Sequence, residues 1–280
     1  MAKIPTADTA STNAPAKSVP GRLLQERLSS GEVLLGGIVV EYLRPSIAKL
    51  YRQAGFDFVF FEYEHAMFDP NMLTATVLTA RDNGLPVIAK TPQLERAAVA
   101  KLLESGIIGI QLPRTESREH VETLRSYIKF PPVGTRAVAP GFGSSDYRQA
   151  FEWKGWMDEQ DEETTLVVHI ETRLGYECAE EIVSTPGVDM VYVGPGDFSI
   201  EMGHPGKYDH PDVAGPMQEI LELCLKHNVP FGTTPSGVKS AAKWAAMGAR
   251  FFEAVDELSL IYSGASRLVS EYREACGCSR

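Results

Sequence analysis

The chain has 280 residues, of which 44% are hydrophobic and 23% charged, and its formal net charge is -10. That composition is ordinary for a globular protein, and an acidic chain without a basic block excludes a nucleic-acid surface. No apolar run approaches the ~18 residues that cross a bilayer, and four scattered cysteines, Cys178, Cys224, Cys276 and Cys278, suit neither a disulfide framework nor a zinc spacing. A reducing, cytoplasmic setting is expected.

Residues 1–21 are rich in Ala, Thr, Ser and Pro and hold no apolar core of their own, so a disordered tail is predicted there. Residues 22–280 are predicted to form one domain. Eight apolar runs follow in order: LLGGIVV (34–40), FDFVFFE (56–62), LPVIAK (85–90), IIGIQLP (107–113), TLVVHIE (165–171), VDMVYVGP (188–195), VPFGTT (229–234) and ARFFEAVD (249–256). Most lack period-two alternation, as expected of parallel strands covered on both faces. Between them lie helix-like segments such as LTATVLTARDNG and AAVAKLLESG, each closed by a Gly that can enter the left-handed conformation. Eight strand–helix units predict an α/β protein of the (β/α)8 barrel class. A doubly wound open sheet is the competing fold, disfavoured by the count of eight and by the lack of GxGxxG after the first strand. One long insertion, at about residues 130–160, reads as a lid or a partner surface, with Arg136, Tyr147, Arg148, Trp153 and Trp156 in it.

Barrel enzymes carry their chemistry at the carboxyl ends of the strands. There the second run offers Glu62, Glu64 and His65, the third Lys90, the fourth Gln111 and Arg114, and the fifth His169 and Glu171. The sixth ends in Gly194-Pro195-Gly196-Asp197, the seventh gives Thr233, Thr234 and Ser236, and the eighth ends in Glu253 and Asp256. Glu171 and Asp197 end adjacent strands. Two carboxylates without thiolates suit a hard divalent cation such as Mg²⁺ or Mn²⁺; the alternative is that each caps the helix after it. The Gly196 and Asp197 amides form an anion site if a helix starts there. His65 is either a general base near neutral pH or a structural histidine.

On AGFDFVFFEYEHA, FPPVGTRAV, HIETRLGYECAEEIVSTPGVDMVYVGPGDFSIEMGHPG and GARFFEAVDELSLI, the chain resembles the metal-dependent pyruvate aldolases of the HpcH/HpaI family from about residue 22 to residue 270. The resemblance implies a barrel whose last helix is exchanged with a neighbour, in a homo-oligomer such as a trimer or a trimer of dimers. It implies Mg²⁺, Mn²⁺ or Co²⁺ on Glu171 and Asp197, a 2-oxo acid at the Pro195-Gly196-Asp197 turn, and His65 moving the proton of the substrate's 4-hydroxyl. Retro-aldol cleavage would then give pyruvate, or a related 2-oxo acid, and an aldehyde. The chain departs from the pattern at Lys90 (usually Arg), Glu62 (usually Asp), His169 (usually Gln) and Glu104 (usually an Asp that reaches the histidine from a neighbouring subunit). Val39 and Glu41 also differ. His169 is open to three roles: third metal ligand, acid–base group or substrate contact. The competing functions are a metal-dependent 2-oxo acid decarboxylase or hydratase-type lyase, a Schiff-base enzyme using Lys90, and a non-catalytic barrel that binds a small acid.

Overall fold

The computed structural model describes residues 20–148 and 152–278. Residues 1–19 of the predicted tail lie outside the described residues; Pro20 and Gly21, the last two positions of that tail, form the buried first turn of a helix, α1 (Pro20–Ser29).

Eight parallel strands close into a barrel in sequence order. They are β1 (Leu34–Val39), β2 (Phe58–Phe61), β3 (Val87–Lys90), β4 (Gly109–Leu112), β5 (Thr165–Ile170), β6 (Met190–Val193), β7 (Phe231–Thr233) and β8 (Phe251–Asp256). Each falls inside one of the eight apolar runs. The helices between them are α2 (Pro45–Ala54), α3 (Pro70–Asp82), α4 (Arg96–Glu104), α5 (Arg118–Ile128), α6 (Trp153–Glu163), α7 (Arg173–Glu177), α8 (Ala179–Val183), α9 (Pro195–Glu201), α10 (Pro211–His227) and α11 (Val238–Met247), with α12 (Glu257–Cys276) last. Local signals set their limits. Asp69 caps α3 by accepting from the Met72 amide, Ser117 caps α5 through the His120 amide, and Gly55 ends α2 in the left-handed region at φ 95°.

Successive strand residues point to opposite faces, and this divides the core. Val59, Phe61, Val168, Ile170, Val191 and Val193 face outward into the layer shared with the helices. Leu34, Phe58, Phe60, Ile88, Val167, Met190 and Phe251 fill the barrel, and Leu24 and Leu28 of α1 close its amino-terminal end. Gly36 is required there, because a Cβ would stand 2.3 Å from the Phe58 ring. One step further along the same inward column, the filling turns polar: Glu62, Lys90, Gln111, His169, Glu171, Tyr192 and Glu253. The barrel is thus an apolar plug beneath a charged rim.

The 130–160 insertion corrects one expectation. It joins the end of α5 to the start of β5, and both lie at the amino-terminal end of the barrel. Gly143 packs there on the Ser105 backbone, and Trp156 packs on Phe130 with ring centroids 5.6 Å apart. Helices run back against the strands, so the insertion covers the face opposite this chain's own rim and is no lid to it. Arg136 is buried over the Phe130 ring, 4.7 Å from its centroid, and has a structural role. Among the described residues, no helix is long and apolar enough to cross a membrane.

Candidate active site

The centre of the rim is a buried lysine among carboxylates. The Lys90 ammonium lies 2.6 Å from Glu64, 3.5 Å from Glu62 and 4.0 Å from Glu171. Burial disfavours its charge, but the three carboxylates outweigh that and raise its pKa. A charged ammonium has no lone pair, so the geometry speaks against an amine nucleophile at Lys90.

Glu171 is buried. Its Oε1 accepts the Arg114 amide at 2.8 Å, and its Oε2 faces His169 Nε2 at 3.1 Å. Arg114 holds a left-handed φ of 45°, which turns that amide toward the carboxylate. Burial raises the Glu171 pKa, Lys90 opposes the rise, and the charges of Glu64 and Asp197 add to it. Asp197 is exposed in the first turn of α9 and, among the described residues, makes no hydrogen bond or ion pair. Neither carboxylate is a cap: Gly194 stands at the N-cap of α9 and Thr172 caps α7 through the Gly175 amide. The capping alternative for Glu171 and Asp197 therefore fails. What remains is one buried and one free carboxylate at the ends of adjacent strands, an all-oxygen donor set that fits a hard divalent cation. Next to Asp197, a Cβ on Gly196 would meet nothing within 4 Å, so space is open beside that turn.

His169 is inside the barrel. Its ring stands edge-on to Tyr192 at 4.7 Å, and its Nδ1 is 3.4 Å from Gln111 Nε2. Burial pushes its pKa well below the usual range, with Lys90 adding to the effect, so the ring is neutral. Gly194 makes room for it, since a Cβ there would stand 2.3 Å from Nε2. His65 is exposed, its Nε2 3.5 Å from Glu64 Oε2. Glu62, Glu64 and His65 place ligand atoms within 4.8 Å of one another, as do His204, His210 and Asp212 around the start of α10.

A cavity of about 300 Å³ opens beside this rim, lined by Pro195, Thr233, Thr234, Ser236, Lys239 and Lys243. Sequence reasoning found its hydroxyls but missed the two lysines, which lie on α11 beyond any strand end. It also missed the Arg114 amide, which only the left-handed turn reveals.

The chain matches the family model for HpcH/HpaI aldolase/citrate lyase over residues 38–261. It belongs to that family. Among its curated relatives, 5-keto-4-deoxy-D-glucarate aldolase of Salmonella arizonae is 25% identical over 82% of this chain and 89% of its own length. The 2-dehydro-3,6-dideoxy-6-sulfogluconate aldolase of Pseudomonas putida is 26% identical over 80% of this chain and 87% of its own. The solved HpcH/HpaI aldolase of Desulfitobacterium hafniense DCB-2 superimposes with a TM-score of 0.85 at 26% identity, covering 90% of this chain and 96% of that one. The chain is accordingly a lyase of the aldolase type, from a family of divalent-metal-dependent enzymes acting on small molecules.

Of the departures from the HpcH/HpaI pattern, Lys90, Glu62 and His169 meet within this one rim. Glu104 does not. It ends α4 at the amino-terminal face, near Arg136, and burial raises its pKa while Arg136 opposes the rise. Within one chain it cannot touch His65.

Proposed function

We propose that this protein is a divalent-metal-dependent aldolase that cleaves a 4-hydroxy-2-oxo acid to pyruvate, or a related 2-oxo acid, and an aldehyde. The observation that carries the reading is the Glu171–Asp197 pair, two strand-end carboxylates with no capping duty and a compatible donor set. They would hold Mg²⁺, Mn²⁺ or Co²⁺, which when bound supplies Lewis-acid stabilisation of the negative charge developing on the substrate's keto oxygen.

The remaining work falls to the chain. The Gly196 and Asp197 amides receive the substrate carboxylate beside Pro195, in an orientation fixed by the start of α9. Lys90, held protonated, places a point charge where the family has a two-pronged guanidinium, and so compensates an oxyanion without fixing its plane. His65, exposed and bordered by Glu64, takes the proton from the 4-hydroxyl, and the C3–C4 bond then breaks, its electron pair passing to the enolate, which regains a proton at C3 to leave pyruvate. Glu62, 3.5 Å from the Lys90 ammonium, helps to hold it in place.

The assembly is part of the proposal. Helix α12 leaves the barrel with Leu258, Leu260, Ile261, Leu268, Val269 and Tyr272 exposed, an apolar face that a neighbouring subunit would cover by exchange. The same homo-oligomer, a trimer or a trimer of dimers, would bring Glu104 of one subunit to His65 of another. Residues from about 22 onward act as one barrel domain in this reading.

The test is a chelator-stripped preparation assayed for pyruvate release from 4-hydroxy-2-oxo acids. Activity should return with a divalent cation and be absent in Glu171→Ala and Asp197→Ala proteins. Cleavage that survives chelation and both substitutions would refute the proposal.

A further inference from the structure

We propose that His169 supplies an imidazole nitrogen as a third protein ligand to the cation of Glu171 and Asp197, so that this site takes Mn²⁺, Co²⁺ or a similar transition ion in preference to Mg²⁺. The inference rests on the metal-dependent reading above and concerns which ion that site selects.

The geometry around Nε2 carries it. The atom is fully enclosed and has no hydrogen-bond partner among the described residues, although Glu171 Oε2 stands only 3.1 Å away. The carboxylate oxygen is near enough but lies off the direction in which a ring N–H would donate. An unsatisfied buried nitrogen at that distance is costly unless something else joins the two atoms. Two donors each about 2.1 Å from one ion, and at right angles to each other, stand about 3.0 Å apart. The spacing of Nε2 and Oε2 is that of neighbouring ligands. Nε2 also lies against Gly194, at the root of the turn that carries Asp197.

The far side of the ring is prepared for the same role. A ligating imidazole hands its other N–H to an acceptor, which fixes ring and tautomer. Nδ1 faces the end of the Gln111 side chain, whose Oε1 is buried without a partner among the described residues. The two ends of an amide are nearly alike in shape. Turned end for end, the amide presents Oε1 to Nδ1–H and to Glu253, which is in contact with it and which burial keeps protonated. Glu253, Gln111 and His169 then form one chain of donors ending at the ion. Imidazole nitrogen favours transition ions over Mg²⁺, which prefers oxygen and retains its waters.

Chelator-stripped protein loaded with Mn²⁺ would be read by electron spin echo envelope modulation, in a His204→Asn, His210→Asn background that removes the other imidazole–carboxylate cluster. The expected spectrum shows a directly bound imidazole nitrogen, which persists in His65→Asn and vanishes in His169→Gln while Mn²⁺ stays bound. By calorimetry, the Mn²⁺-to-Mg²⁺ affinity ratio should fall by about tenfold or more in His169→Gln. Bound Mn²⁺ without nitrogen coupling in the unsubstituted ring overturns the proposal and leaves the aldolase reading standing; that result needs no His169 variant to fold. Mn²⁺ binding that is equally weak with and without Glu171→Ala overturns both.

Discussion

The ionisable side chains of the inner rim stand in opposite states for one reason, the company each keeps. Lys90 stays charged because three carboxylates face it, whereas Glu253 lies deeper, where burial outweighs the donors Tyr192 and Gln111 and its pKa is raised well above the ordinary 4.5. A raised carboxyl pKa contributes stability that is fully present below the unfolded value and is lost as pH rises through the folded one, because the unfolded chain alone gives up the proton. Glu253→Gln removes that loss. Its unfolding free energy should gain on the wild type by up to about 1.4 kcal/mol per pH unit above pH 4.5, measured by urea unfolding at pH 5, 6 and 7. A difference that stays flat with pH would mean Glu253 is ionised in the fold. At this scale the sequence showed which residues reach the rim, since His169 and Glu171 are two apart on one strand and must share a face. It did not show that Nε2 would be left without a partner among the described residues, because that depends on Gly194 just past the next strand and on how the pleats of β4, β5 and β8 converge.

Among the elements, the strands were legible because a parallel strand covered on both faces has nothing polar to interrupt it. The helix stops at Gly84 and Gly106 were equally plain, and both glycines take positive φ. The direction of the 130–160 insertion was not legible from its length; it follows from the chain having already run back down α5. The departure of α12 from the barrel has its own anchor. The buried Glu257 carboxylate accepts the Val40, Glu41 and Tyr42 amides at 2.6–3.1 Å, pinning the first turn of α12 to the end of β1. Glu257→Ala leaves those amides to water and should lower the unfolding free energy by about 2 kcal/mol, read as a lower urea midpoint. A change within about 0.5 kcal/mol would show that the helix is held by its other contacts.

Taken whole, the molecule is a barrel whose amino-terminal face is closed by its own α1, with Phe130, Trp156 and Arg136 packed at the same end, and whose carboxyl face is open and charged. That asymmetry places the chemistry. It also leaves two features that one chain does not use, the exposed apolar face of α12 and Glu104 far from His65. The proposed exchange of α12 in a homo-oligomer would account for both, and Ile261→Glu with Leu268→Glu should then shift the sedimentation velocity profile toward smaller species. An unchanged profile, or a native protein that sediments as a monomer, would contradict the exchange. The central claim is that the Glu171–Asp197 site makes an enolate from a 2-oxo acid. The direct measurement is exchange of the pyruvate methyl protons in deuterated water, followed by NMR without any aldehyde present. Exchange should require a restored divalent cation and vanish in Glu171→Ala protein. Metal-loaded protein that leaves the methyl signal untouched would contradict the claim.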